Sequence, residues 1–197
     1  MGLLGVVTLN ISGRDLTDVW DNLQSNLVAA DGIEPLAIAI VFETYDLLIV
    51  LWCEQPENLN RYIINRLRSM KGVTETTVFF LDEMQALTHD GMESEPGIDG
   101  HLMLDVECGK EDYVVREVSK IGPEAEKTFT KFIAAALHSS TLDLLVGFKG
   151  TNLYYLDELF SKIRLIDGVI DIEVQIFARF KTLVEYDQMK DRFSWLL

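Results

Sequence analysis

Two aspartates, Asp46 and Asp143, stand at matching places in the chain, each beside hydroxyl-bearing residues. Thr44, Tyr45 and Asp46 form one group; Ser139, Ser140, Thr141 and Asp143 form the other. A carboxylate next to hydroxyls can hold the ammonium group of a small ligand, which makes these residues the candidate ligand-binding set. The same residue types also have a structural use. An Asp at a strand start accepts hydrogen bonds from free turn N–H groups, and this is the commoner role. Asp105, Glu107, Asp171 and Glu173 form a second constellation, on segments where polar and apolar residues alternate. Four carboxylates on one sheet face could raise one another's pKa, bind a cation or move protons. A solvated rim is the plainer account of such a face. His89, His101 and His138 lack the mutual spacing of metal ligands and are expected at the surface or in turns. No G-x-S-x-G, P-loop or G-x-G-x-x-G is present. No catalytic residue, metal site or cofactor is assigned on this basis, and an enzyme is the less favoured class.

The elements that must position these groups are legible from periodicity. Val7, Leu9 and Ile11 alternate with Thr8, Asn10 and Ser12, as in a half-buried strand. Leu16, Val19, Trp20, Leu23 and Leu27 then follow helical spacing. Pro35–Phe42 and Asp46–Trp52 read as two further strands. Pro56 suits the first position of a second helix with the stripe Leu59, Ile63, Leu67 and Met70, which Gly72 closes. Val73–Leu81 is a fourth strand. The later half repeats the order. Leu102, Leu104, Val106 and Cys108 alternate as a strand; Val114, Val115, Val118 and Ile121 mark a helix that Gly122-Pro123 should end. Phe129–Leu137 and Leu142–Phe148 are strands, Asn152 opens a helix that Gly168 closes, and Ile170–Ile176 is the last strand. Each half therefore reads β-α-β-β-α-β, the ferredoxin-like order.

The halves also match residue by residue. Thr44–Met84 aligns with Thr141–Phe180 at an offset of 97 that drops to 96 after one deletion. The matches include Asp46/Asp143, Leu47/Leu144, Leu59/Leu156, Gly72/Gly168 and Val78/Val174. A period this long exceeds the roughly 20–50 residues of a solenoid repeat and has the size of a small domain. The expected organisation is a first domain at 1–84, an acidic linker at 85–99, a second domain at 100–184 and a tail at 185–197. Leu47–Trp52 is apolar at every position, as a strand buried on both faces would be. Helices cover one sheet face, so the two copies are expected to bring their sheets together in one α+β fold, an α/β barrel.

The strand–turn–strand with Tyr45-Asp46-Leu47-Leu48, and the helix–Gly–Val–strand passages Arg68–Val78 and Arg164–Val174, resemble the effector (RAM) domain of the Lrp/AsnC transcription-regulator family. The similarity covers roughly residues 4–84 and 100–181. It implies the dimeric α/β barrel fold, and amino acids bound near the turn between the second and third strands. The chain departs from the pattern with Glu43 and Ser140 where the family has Gly, and with Leu142 in place of the aromatic. The expectation is a regulatory or small-molecule-sensing protein without its own helix-turn-helix, binding an amino acid or related metabolite or pairing with regulators. The alternatives are a dimeric α/β barrel enzyme, monooxygenase-like or haem-handling, and a tandem ACT-type regulator.

Composition narrows the partners. The chain has 17 Lys and Arg against 32 Asp and Glu, a net charge of −15. Neutralising phosphates needs clustered cations, so direct nucleic-acid contact is not expected. No apolar run reaches membrane-spanning length, and the N-terminal residues do not read as a signal peptide. Cys53 and Cys108 each sit in a strand-like apolar run and read as packed, reduced thiols. A cytoplasmic protein with a small-molecule effector is expected. Whether it forms a homo-oligomer, or which copies pair, is left open by the sequence.

Overall fold

The structure, a computed structural model, describes residues 3–42, 45–85, 97–127, 130–138, 143–150 and 152–184, without the side chains of 56, 81–85, 122–127 and 130–138. His89, nearly all of the expected linker and the tail at 185–197 lie outside the described residues. The chain forms two compact units, dividing at Leu81/Asp82 and again at Ile176/Phe177.

The first unit contains strand β1 (Leu3–Ile11), helix α1 (Leu16–Asn26), strands β2 (Ile33–Val41) and β3 (Leu47–Cys53), helix α2 (Pro56–Tyr62) and strand β4 (Val73–Gln85), whose last residues pass into the second unit. All of its pairings are antiparallel, with β1 between β4 and β3 and with β2 on the far side of β3. Odd-numbered residues Val7, Leu9 and Ile11 of β1 and Leu47, Ile49 and Leu51 of β3 share one face. They pack on Val19, Trp20 and Leu23 of α1 and on Leu59, Ile63 and Leu67. These are the helical stripes that the spacing predicts. The second stripe bridges a change of helix type: α2 continues as one wide turn over Ile63–Leu67, closed by Arg68 N–H to the Ile63 carbonyl at 2.9 Å. On the other face of β3 Leu48 is buried, while Val50 and Trp52 are half-buried.

The second unit repeats the order with β5 (Ile98–Val106), α3 (Glu111–Lys127), β6 (Thr130–His138), β7 (Leu144–Gly150), α4 (Leu153–Arg164) and β8 (Val169–Thr182). β5 pairs with β8 and β7, and β6 lies on the far side of β7. Leu102, Leu104, Val106, Leu144, Val146 and Phe148 meet Val114, Val118, Leu156, Leu159, Phe160 and Ile163 of the two helices. Asn152 caps α4 by accepting the Tyr155 N–H at 3.1 Å. Gly72 and Gly168 close the second helix of each unit at φ +94° and +98°, a conformation that L side chains rarely adopt.

Several bounds differ from expectation. α3 runs through Gly122-Pro123 to Lys127; packing of α3 against β6 and α4 overrides a local breaker signal. β5 begins at Ile98, inside the stretch read as linker. β8 is 14 residues long. Its first part pairs with β5 as far as Ile176, and its continuation from Phe177 pairs with β2 in the first unit. The second unit's core strand therefore ends where the alternation of Ile170–Ile176 ends, and the rest of β8 belongs to the other unit's sheet. No helix among the described residues is long and apolar enough to cross a membrane.

Candidate functional site

The two aspartates do the same thing in both units. The β1–β4 register slips between Asn10 and Ile11, and Asp46 Oδ2 accepts the Ile11 N–H at 2.6 Å. The Asp46 N–H returns a bond to the Leu9 carbonyl at 3.0 Å. In the second unit the β5–β8 register slips between Asp105 and Val106. Asp143 Oδ2 takes the Val106 N–H at 2.8 Å, and Asp143 N–H reaches the Leu104 carbonyl at 3.2 Å. A bulge disturbs the ladder, and each carboxylate clamps the strand end at that place. Tyr45 is buried. Thr44, Ser139, Ser140 and Thr141 lie outside the described residues. Asp46→Ala and Asp143→Ala should each destabilise by about 2 kcal/mol, the scale of a hydrogen bond to a charged group with its N–H left unpaired. Urea unfolding checks this; Asn at either position should recover part of the loss, and an unchanged midpoint in both Ala variants would refute the clamp.

The four carboxylates do not gather. Glu107 lies beyond the end of β5, ion-paired to Lys110 at 2.8 Å, and Lys110 also holds Asp167 at 3.0 Å. The bulge at Asp105/Val106 breaks the alternation that would have aligned Glu107 with Asp105. Asp171 is directly opposite Asp105 but exposed, its Oδ1 taken by the Ile172 N–H at 2.8 Å. Cys53 is buried, and its Sγ donates to the Gln55 carbonyl at 2.9 Å; burial pushes that thiol up. Cys108, expected in a packed strand, is exposed in the turn after β5.

His101 is the main correction. Expected at the surface or in a turn, it is 4% exposed in the middle of β5. It lies on the sheet face turned away from the helices, with Asp99, Met103 and Asp105 by alternation. Gln175, 0% exposed, is directly opposite it on β8, and Gly147 opposite it on β7. Gln175 Nε2 donates to Glu173 Oε1 at 2.7 Å, and the Gln175 side chain is hydrogen-bonded to the imidazole. Burial dominates and lowers the imidazole to about 4, although the Gln175 bond and the Glu173 charge pull it up. His101 is therefore neutral at pH 7, with one ring nitrogen unprotonated. Toward the start of β5 the same face carries Asp99 opposite Lys149, an ion pair at 3.7 Å, and desolvation raises the Asp99 carboxyl. Solvent reaches this end of the face: the side chains of Lys149 and Asp99 are 17% and 26% exposed.

The corresponding row of the first unit is apolar. Counted back from the clamped strand ends Ile11 and Val106, His101 corresponds to Val6. The row is Phe79, Val6, Val50 and Ala37 in the first unit. In the second it is Gln175, His101, Gly147 and Ala134. One level along, Leu4 and Trp52 stand where the second unit has Asp99 and Lys149. The signal for His101 was present in the alternation, two residues before Met103, as Gln175 is two after Glu173. Among the described residues no group of three or more His, Cys, Asp or Glu is placed to hold a metal ion.

No family model matches the chain, and no curated protein matches it. Solved structures do. A single-site variant of chlorite dismutase from Candidatus Nitrospira defluvii is 8% identical and covers 98% of this chain and 95% of its own, with a TM-score of 0.64. An anthrone oxidase-like protein is 9% identical, covers 93% and 94%, and has a TM-score of 0.60. A protein from Lactobacillus acidophilus NCFM provisionally described as a monooxygenase is 11% identical, covers 92% and 96%, and has a TM-score of 0.55. At these identities the likeness is one of fold. The expectation of a transcription-linked regulator is corrected by these neighbours, which carry the names of enzymes and not of regulators. The chain shares an antiparallel α+β fold with them across both units.

Proposed function

We propose that this chain is an enzyme of the dimeric α/β barrel type, built from two ferredoxin-like halves, with its chemistry in the second half. The observation that carries the reading is the buried His101–Gln175 pair, in a row whose first-unit counterpart is Val6 and Phe79. A fold needs no buried imidazole there, since the other unit does without one. A neutral imidazole with an amide on one side takes a proton from a weakly acidic substrate, a phenol or an activated methylene ketone. The Lys149 ammonium, on the same face and only partly neutralised by Asp99, balances the anion that results. Such an electron-rich anion reacts with dioxygen. In the balanced reaction a CH2 group and O2 become a carbonyl and water, one oxygen atom entering each product. This is the class that the names anthrone oxidase-like and monooxygenase suggest.

The test is oxygen uptake by purified protein with hydroxylated aromatic ketones. Turnover is expected without added metal or cofactor. His101→Gln should lower kcat by about 100-fold or more, the scale of a lost general base. Because the imidazole titrates near 4, kcat/KM should stay flat from neutral pH down to about 5 and fall below that. Full activity in the His101→Gln variant, or turnover that follows a Soret band and vanishes without it, would overturn the reading.

A further inference from the structure

We propose that Glu173 is a positioning residue for His101, acting through the side-chain amide of Gln175. The proposal rests on the reading of His101 as the base and names what prepares it.

The geometry is set by the alternation of β8. Glu173 and Gln175 are two residues apart on one strand and share a face, and Gln175 is in register with His101. A carboxylate has only acceptors, whereas a primary amide has a donor end and an acceptor end. Glu173 Oε1 therefore takes the Nε2 end of Gln175, at 2.7 Å. The bond between Gln175 and the imidazole favours the protonated ring, as an accepting oxygen does, so the amide oxygen is the end that meets the imidazole. An oxygen accepts, so the imidazole nitrogen facing Gln175 carries the ring proton. In a neutral imidazole the other nitrogen then holds the lone pair. The carboxylate thus fixes the amide, the amide fixes the tautomer, and the tautomer decides which nitrogen can take a proton from a substrate. Burial supports this chain of cause. Gln175 is 0% exposed and His101 4%, so water does not compete for either end of the amide, and an inverted amide would place its oxygen against a carboxylate. The first unit has Thr77 and Phe79 at the two positions, so the device is confined to the half that carries the imidazole.

Among the described side chains, the charged groups that share this face of the second unit are Glu173 and Asp171 on β8, Asp99 and Asp105 on β5, and Lys149 on β7. Of these, Glu173 accepts from the Gln175 amide.

The experiment is nitrogen-15 NMR of the histidine ring in the full chain, without substrate. Wild-type protein at pH 7 should show His101 as a single neutral tautomer. Glu173→Gln keeps the size but offers both a donor and an acceptor, so Gln175 can turn either way. The second tautomer should then rise to about a tenth of the population or more. Gln175→Glu should raise the His101 titration above that of wild type by at least about one pH unit, because a carboxylate would face the ring. A tautomer ratio unchanged in Glu173→Gln would overturn the proposal. So would two tautomers in wild-type protein, a measurement that needs no variant to fold. The readout requires no turnover, so it separates from the oxygen-uptake test: a fixed tautomer with no loss of activity in His101→Gln would reject the base and keep the relay.

Discussion

Between pH 7 and pH 4.5 the wild-type chain is expected to lose about 2 kcal/mol of stability through His101 alone, given a native titration near 4 against an ordinary 6.5. In this window the unfolded chain takes up a proton on the imidazole and the native chain does not. The unfolded state therefore binds more protons, and stability rises with pH. The contribution is complete above 6.5 and is lost as pH falls toward 4. Asp99 works in the opposite sense at the lower end. Its carboxyl is raised by burial, so the native state binds that proton first and recovers some stability as it does so. Other acidic groups also titrate, and a variant isolates the histidine. His101→Val alone would leave the buried Gln175 oxygen without its imidazole partner, which costs about 1–3 kcal/mol at every pH. The double variant His101→Val with Gln175→Phe copies the Val6/Phe79 pair of the first unit and should recover part of that loss. Urea unfolding at steps from pH 7.5 to 4.5 checks the difference. The double variant should lose less stability than wild type over the window; parallel curves would mean that His101 is not neutral and buried in the native state.

What the residues announced and what they concealed divides along a physical line. Spacing reveals which residues share a face. The stripes of α1 and α4, the strand alternation, and the repeated Asp46 and Asp143 are statements of that kind and could be read directly. Spacing does not reveal what lies against a face. His101 and Gln175 share a face with Met103 and Glu173 whether that side is wet or dry, so the burial that lowers the imidazole is invisible in the spacing. The position of Glu107 is hidden for another reason. A one-residue slip at Asp105/Val106 reverses the direction of every later side chain, and nothing in the residues marks it except the distant Asp143 that clamps it. Function is hidden for a third reason. The local resemblance around Tyr45 lies at the turn between β2 and β3, whereas the residues that set the halves apart chemically, His101, Gln175 and Lys149, lie on strand faces outside that passage.

Gly100→Ala should be among the most damaging single-methyl changes in the second unit, and Gly5→Ala, at the matching place in the first, should be mild. Both glycines stand six residues ahead of the clamped strand ends Ile11 and Val106, on the side of the strand that faces the helices. At Gly5 an added Cβ would meet Leu59 Cδ2 at 3.2 Å, with no backbone atom closer than 3.9 Å. The end of a leucine can turn away, and a strand alanine restricts the unfolded chain more than glycine does, so the net change should stay within about 1 kcal/mol. At Gly100 the added Cβ would collide with the Gln175 backbone carbonyl and lie 2.5 Å from Phe148 Cζ. Neither obstacle is free to move. The carbonyl belongs to the strand that β5 pairs with, and Phe148 is fully buried and packed edge-on against Phe160 at 5.1 Å. Relief requires β8 to shift away from β5, at a cost of about 3 kcal/mol or more. The shift acts on Gln175 itself, the residue that faces His101, so it links packing on the helix side to chemistry on the other. Thermal or urea unfolding measures the first effect, and the His101 titration by NMR measures the second. Adding Phe148→Leu to Gly100→Ala should recover only a part of the stability, because it removes the ring contact and leaves the carbonyl contact in place. Equal small losses at Gly5 and Gly100 would show that β8 can yield at Gln175, and the fixed amide on which the His101 tautomer depends would then have no rigid support.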